Sequence, residues 1–405
     1  MKAAPLNAPG GDANGSTGRL SRNVKALAAV SLLTDVASEM IYPLLPLFLS
    51  TVLGASASTI GAIEGLAEST ASMLKLVSGW WSDRLGRRKP FVVAGYTLAA
   101  FVRPLMGFVL SPWQALAVRL SDRVGKGVRT SARDALLADS AEPAQRGRAF
   151  GFLRAGDNAG AVIGPLVAWV MLEVGGVPLR RVFLWAAVPG VIAVAVLVVF
   201  VRERLAVQPR PANDAVSLAS DAGMGSRFWR YMIVMLLFTL GNCTDAFLLL
   251  RASQVGVATA LIPILWAAFS LVKTLCSTPG GALSDRVGRR PVIIAGWAVF
   301  AAVYLLFGRA TQAWQAWALF SVYGVSLGIS ESVERALVAD LVPAARRGAA
   351  YGWYNFVIGL GALPASVVFG IVWDRVSPAA AFTMGAALVG AAAAGLVLLV
   401  RPAPA

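Results

Sequence analysis

The sequence predicts an all-α polytopic membrane protein, with about 12 transmembrane helices in two six-helix pseudo-symmetric bundles. Three observations predict it. Apolar runs long enough to cross a bilayer recur along the chain, positive residues cluster in the short gaps between them, and one ten-residue segment returns at close to half the chain length.

Composition excludes an ordinary soluble domain. Of 405 residues, 57% are hydrophobic and only 14% charged, and the mean hydropathy is +0.69, so most of the chain belongs in lipid. The formal net charge of +15 would suit a nucleic-acid partner if it lined one amphipathic face. Dispersed in loops between apolar runs, it fits the positive-inside rule instead, and no nucleic-acid partner is expected. Cys243 and Cys276 each sit inside an apolar run, read as packing residues, and offer neither a disulfide framework nor a metal site.

Residues 1–23, rich in Gly, Ala, Asn and Ser, read as a disordered cytoplasmic tail. Apolar spans follow at 24–50, 58–80, 90–110, 112–139, 148–172 and 181–201, making an N-terminal bundle over 24–201. Residues 202–228, with Pro, Asn, Asp, Ser and Arg, read as a cytoplasmic linker. A second set at 229–250, 256–280, 291–308, 314–340, 348–373 and 378–400 makes a C-terminal bundle over 229–401, leaving a short cytoplasmic tail at 402–405.

Loop charge sets the expected orientation. Arg84, Arg87, Arg88 and Lys89 follow the second span, Arg146 and Arg148 the fourth, Arg202 and Arg204 the sixth, Arg286, Arg289 and Arg290 the eighth, and Arg346 and Arg347 the tenth. The intervening loops are poorer, with Arg180, Arg181 and Arg251 as exceptions. Both termini are expected in the cytoplasm, and the membrane is expected to be the cell inner membrane.

The internal repeat is explicit. GWWSDRLGRR, Gly79 to Arg88, returns as GALSDRVGRR, Gly281 to Arg290, a shift of 202 residues. ALLAD at 135–139 returns as ALVAD at 336–340, and Thr34-Asp35 has a looser echo in Thr244-Asp245. Repeated six-helix halves are the signature of a transporter that rocks about a midplane site.

On these residues the chain resembles the major facilitator superfamily over nearly its whole length. The pattern Gly-x-x-x-Asp-Arg-x-Gly-Arg-Arg, that family's hallmark, is matched by Gly79, Asp83, Arg84, Gly86, Arg87 and Arg88, and again by Gly281, Asp285, Arg286, Gly288, Arg289 and Arg290. The resemblance implies a cytoplasmic gate, in which Gly allows close helix approach, Asp83 and Asp285 latch the outward-facing state, and Asp139 and Asp340 pair with the Arg clusters. RVGKG, from Arg123, is similar to the family's fourth-helix motif, whose Arg is implicated in proton coupling; Lys126 stands where Gln is usual. Gly160, Gly164 and Pro165 resemble the antiporter motif of the fifth helix, which points to the drug:proton antiporter-like branch and to efflux.

Ionisable residues in lipid mark the candidate cavity. Asp35 and Glu39 share one face of the first helix, and Glu64, Glu68 and Lys75 one face of the second. Arg119, Arg123, Lys126, Arg129 and Arg133 form a basic stripe on the fourth, beside Asp122 and Asp134. Arg154, Asp157 and Asn158 lie on the fifth, and Asp245, Lys273, Glu331, Glu334 and Arg335 in the second half. Proton exchange at Asp35, linked to Arg123, is the sharper expectation, and plain interhelical ion pairing the blander one. Trp266, Tyr323, Trp353, Tyr354 and Asn355 are candidate substrate contacts.

With no His, no nucleotide-binding motif and no metal or cofactor constellation, neither an enzyme nor an ATP-driven pump is expected. The expected partners are a small-molecule solute, protons as coupling ion and the lipid bilayer, with the chain a monomer. Proton-coupled efflux is the leading expectation. Proton-linked uptake or exchange of an organic anion, motivated by the basic stripe, and a transport-dead receptor on the same scaffold are the alternatives.

Overall fold

The structure, a computed structural model, describes residues 20–85, 87–142, 145–203, 224–343 and 346–400, with the side chains of 76–77 and 79–85 set aside. Most of the expected N-terminal tail, most of the linker, the last five residues and Gly86 therefore lie outside the described residues. So do the side chains of Asp83 and Arg84 and the packing around Gly79.

The described chain is helical. In the first half the long elements are α1 (Arg22–Val52), α2 (Ala57–Leu85), α3 (Lys89–Phe108), α4 (Pro112–Asp139), α5 (Arg146–Val174) and α6 (Leu179–Phe200). In the second they are α7 (Gly225–Gln254), α8 (Thr259–Val287), α9 (Arg289–Arg309), α10 (Ala313–Asp340), α11 (Arg347–Arg375) and α12 (Pro378–Leu399). Nine of the described helices are long and apolar enough to cross a membrane by composition alone; α2, α4 and α10 complete the set, and α4 is the helix densest in ionisable groups. Several helices run past the apolar limits read from sequence, because their terminal turns are charged.

Local chemistry fixes the ends. Ser111 caps α4 through a hydrogen bond from the Gln114 backbone, with Pro112 in the first turn, and Ser377 caps α12 ahead of Pro378 in the same way. Gln312 and Gln315 close α10 reciprocally. Gly288 takes φ 95° between α8 and α9, a left-handed turn that a residue with a Cβ rarely adopts. This turn, rather than close helix approach, is what the second motif asks of a glycine: a Cβ added at Gly281 would meet nothing within 4 Å.

The two halves pack alike. α1 lies on α5 and α6, α2 on α4, and α3 on α4 and α6; α7, α8 and α9 make the corresponding contacts with α10, α11 and α12. Between the halves, α2 packs on α11 and α5 on α8, a pair of contacts related by the same repeat. The α2–α11 seam is built from small residues. A Cβ at Gly61 would stand 2.2 Å from the Ser366 carbonyl oxygen, and one at Gly370 would stand 2.6 Å from that of Ala57. The Ser69 hydroxyl donates to the Gly359 carbonyl across this seam at 2.5 Å. At its outer end the Asp374 carboxylate accepts from the backbone N–H groups of Ala57 and Ser58 at 3.0 and 2.8 Å, capping α2 from the opposite half. The seam closes the end of the molecule opposite the repeated motif.

Candidate functional site

The site is built on α1, and α5 sets where α1 lies. Gly156, Gly160 and Gly164 recur one turn apart, and a Cβ on each would stand 2.7–2.8 Å from α1 backbone at Ala28, Leu32 and Val36. Gly160 also lies against Asp35 and Gly164 against Glu39. Pro165 sits inside α5 directly after this groove. The helix carrying two acidic candidates is thus seated in a track of glycines.

Beneath it lies a buried ionic network. Arg119 binds Glu64 in bidentate fashion, at 2.8 and 2.5 Å. Arg103 on α3 binds Asp122 at 2.7 Å and donates to the Thr34 carbonyl at 2.9 Å, tying α3 and α4 to α1. Asp122 also stands 3.9 Å from Arg119 and 3.8 Å from Arg123. Arg103 is absent from the residues that the sequence marks as cavity candidates; its one signal there is an Arg inside the apolar run 90–110. Ionised groups this deep persist only when compensated, and these compensate one another.

The basic stripe of α4 is thereby divided among three neighbours. Arg119 is committed to Glu64, and Arg129 lies over the Tyr96 ring with its guanidinium carbon 4.4 Å from the centroid. Arg133 reaches Asp134 at 3.0 Å, Asp157 at 3.5 Å and the Ser31 hydroxyl at 2.7 Å. Ser31 also donates to Asp157, and Asp157 pairs with Arg154 at 3.4 Å. The stripe runs the length of the helix, with Arg119 and Arg133 roughly 21 Å apart along its axis, so its members meet different neighbours at different depths rather than one cavity together.

What remains uncommitted defines the candidate site. Among the described residues, the side chains of Asp35, Glu68, Lys75 and Lys126 make no hydrogen bond or ion pair, and each is only partly buried. Lys126 acts electrostatically on both Asp35 and Glu68, and Lys75 acts on Glu68. Glu39 accepts a hydrogen bond from the Trp266 indole across the two halves at 2.8 Å. In the second half α7 is interrupted at 242–245, and Asp245 in this break accepts from the Tyr323 hydroxyl at 2.7 Å. Glu331 pairs with Lys273 at 2.7 Å and with Arg335 at 3.2 Å.

Other candidates fall elsewhere. Tyr354 is buried against Glu334, Trp353 packs on Trp229 and Phe356, and the Asn355 amide donates to the Tyr351 carbonyl of its own helix. At the motif end Arg88 pairs with Asp139, and Arg289 with Asp340 at 3.2 Å and Asp285 at 2.5 Å, each within its own half. The carboxylates beside Arg289 hold its guanidinium above the usual arginine range. Arg87 is exposed; Arg286 is exposed as well, while Arg290 donates to the Leu396 and Val397 carbonyls at 3.0 Å. The echo of Thr34-Asp35 in Thr244-Asp245 is not the structural register. Gly361, 201 residues after Gly160, lies against Thr239, so Thr239 occupies the place of Asp35.

Known proteins agree with this architecture. The family model described as Major Facilitator Superfamily matches residues 27–257 and 243–405. The chain is 33% identical over 387 residues to an uncharacterized MFS-type transporter of Methanocaldococcus jannaschii, covering 94% of this chain and 95% of that one. It is 24% identical over 396 residues to the class D tetracycline resistance protein of Salmonella ordonez, covering 93% and 96%. Its fold is similar to that of the nucleoside transporter NupG, with a TM-score of 0.79 at 15% identity, covering 93% of this chain and 100% of the other. With that family match over both halves, the chain belongs to the major facilitator superfamily of multi-pass membrane transporters.

Proposed function

We propose that this transporter exchanges protons for a small solute by alternating access and works in efflux, from the cell inner membrane with both termini in the cytoplasm. The observation that carries the reading is the pair of carboxyls, Asp35 and Glu68, left without a partner among the described residues while Glu64, Asp122 and Asp157 are held by arginines. A carboxyl already fixed to a guanidinium gives up that pairing when it binds a proton; an uncommitted one facing Lys126 is free to exchange protons as access alternates. The glycine track of α5, similar to an antiporter motif, couples Asp35 to the movement of α1 against α5. Similarity to a tetracycline resistance protein supports efflux as the direction. With the motif end cytoplasmic and the α2–α11 seam closed, the conformation described is closed toward the outside.

The test is flux in proteoliposomes under an imposed proton gradient, screening cationic dyes against organic anions while internal pH is read. Counterflow of solute and protons, abolished by Asp35→Asn, is expected. Solute flux indifferent to the gradient sinks proton coupling and leaves a uniporter or another coupling ion. Exchange of an organic anion is the second reading, favoured by Arg123 and Lys126, the two cations of α4 not committed to Glu64, Tyr96 or Asp157. Loss of anion binding in Arg123→Gln with the proton dependence intact supports it.

A further inference from the structure

The second half holds a carboxyl that the site above does not use. Glu334 on α10 is 5% exposed, and its two oxygens accept from the Trp297 indole on α9 at 2.8 Å and the Tyr354 hydroxyl on α11 at 3.2 Å. The Tyr231 hydroxyl of α7 donates to the Glu334 carbonyl at 3.2 Å. Four helices therefore meet at one residue, and every group hydrogen-bonded to it is neutral. The charged groups acting on it most strongly are Glu331, one turn away on the same helix, and Arg335. Arg335 turns its half-exposed side chain to Glu331 at 3.2 Å. No cation lies within ion-pair distance of Glu334 among the described residues.

The repeat makes the contrast sharper. The 201-residue shift that relates ALLAD to ALVAD places Glu334 where the first half has Arg133, and Trp297 where it has Tyr96. Arg133 is fixed in charge at every physiological pH and is compensated by Asp134 and Asp157. Glu334, in the same place, carries a group that can be charged or neutral. Two neutral donors do not offset the cost of a carboxylate in a dry helical bundle as a guanidinium does.

We propose that Glu334 is a proton-binding site of the second half, occupied as the neutral acid in the conformation described. The step is a simple protonation: the carboxylate takes a proton from water, and the acid so formed keeps the Trp297 N–H as donor to one oxygen while its own hydroxyl turns to the Tyr354 oxygen. Release requires water, which reaches Glu334 when α11 moves relative to α9 and α10. Because α11 also forms the seam with α2, that movement belongs to the opening of the closed end.

The test reads the carboxyl directly and needs no transported solute. Infrared difference spectra of the full chain in lipid, taken across a pH titration, are compared for wild type, Asp35→Asn, Glu334→Gln and Trp297→Phe. A carbonyl-stretch band of a protonated carboxyl is expected in wild type, retained in Asp35→Asn and lost in Glu334→Gln. In Trp297→Phe, which removes a donor to the ionised form, it is expected to persist to a pH roughly one unit higher. A wild-type spectrum without such a band, or a band unchanged in Glu334→Gln, overturns the proposal. Should the Glu334→Gln chain not assemble, Trp297→Phe decides alone, because a purely structural Glu334 gives no shift. Absence of proton-driven flux would refute the antiport reading and leave this band untouched.

Discussion

Gly160 of α5 and Asp35 of α1 face each other so closely that a Cβ on the glycine would stand 2.7 Å from the Cβ of the aspartate. The same Cβ would be 2.7 Å from the Leu32 carbonyl oxygen. One obstacle is backbone, so α1 has to move as a unit to make room.

Gly160→Ala and Gly160→Val are therefore expected to push α1 and its carboxyls off α5 progressively. Overpacking of this kind costs about 1–3 kcal/mol, enough to lower thermal stability and more than enough to misplace Asp35. Solute flux in proteoliposomes should fall from wild type to Ala to Val. A valine variant with full flux would show that α1 placement does not matter.

The Arg119–Glu64 pair gives a different signature. Glu64→Gln alone leaves a buried guanidinium short of its counter-charge, with an expected loss of about 3–5 kcal/mol. Arg119→Gln alone strands the carboxylate similarly. The double variant should recover much of the loss, and a double-mutant cycle on thermal unfolding in lipid measures it. Additive single effects would mean the two residues do not act as a pair.

Surface pairs at the motif end should behave otherwise. Removing Asp340 or Asp139 by substitution to Asn breaks contacts with Arg289 or Arg88 that are about half exposed on the acid side. Exposed pairs contribute less than about 1 kcal/mol, so unfolding should barely shift, and any large change in flux would have to come from gating. Arg289 is held in its charged form, so its share of these contacts is expected to show no titration of its own between pH 5 and 9, roughly the range of flux assays.

Asp374 caps α2 from the other half, and Asp374→Ala should loosen the closed end. Loss of a cap costs about 0.5–2 kcal/mol, which converts to a several-fold rise in the open population. Reaction of a cysteine introduced by Ser58→Cys with an impermeant thiol reagent reads that population. Unchanged labelling would mean the small-residue seam alone holds the end shut.

The separate legibility of fold and site follows from particular residues. Twelve helices could be read because apolar length and loop charge are local properties, and the Asp-Arg-x-Gly-Arg-Arg repeat showed that the halves correspond. The pairing of intramembrane charges could not. Glu64 and Glu68 sit one turn apart on the same helix and look alike in sequence, yet the first is clasped by Arg119 and the second is left uncommitted. Arg103 stands in a run otherwise apolar, with nothing near it in sequence to name Asp122 as its partner, and the sequence likewise does not show that the Tyr354 hydroxyl donates to Glu334.

The sequence by itself determined the number of helices, their division into two related sets and which of them carry charge, since each depends on residues close together in the chain. Only the tertiary structure decided what those charges do. At positions related by the 201-residue shift, Arg103, Arg119 and Asp122 form an ionic core in one half, whereas Tyr304, Phe320 and Tyr323 form an aromatic one in the other. A helical face fixes the direction in which a side chain points but not what waits there, and in lipid the cost of a charge depends entirely on that partner.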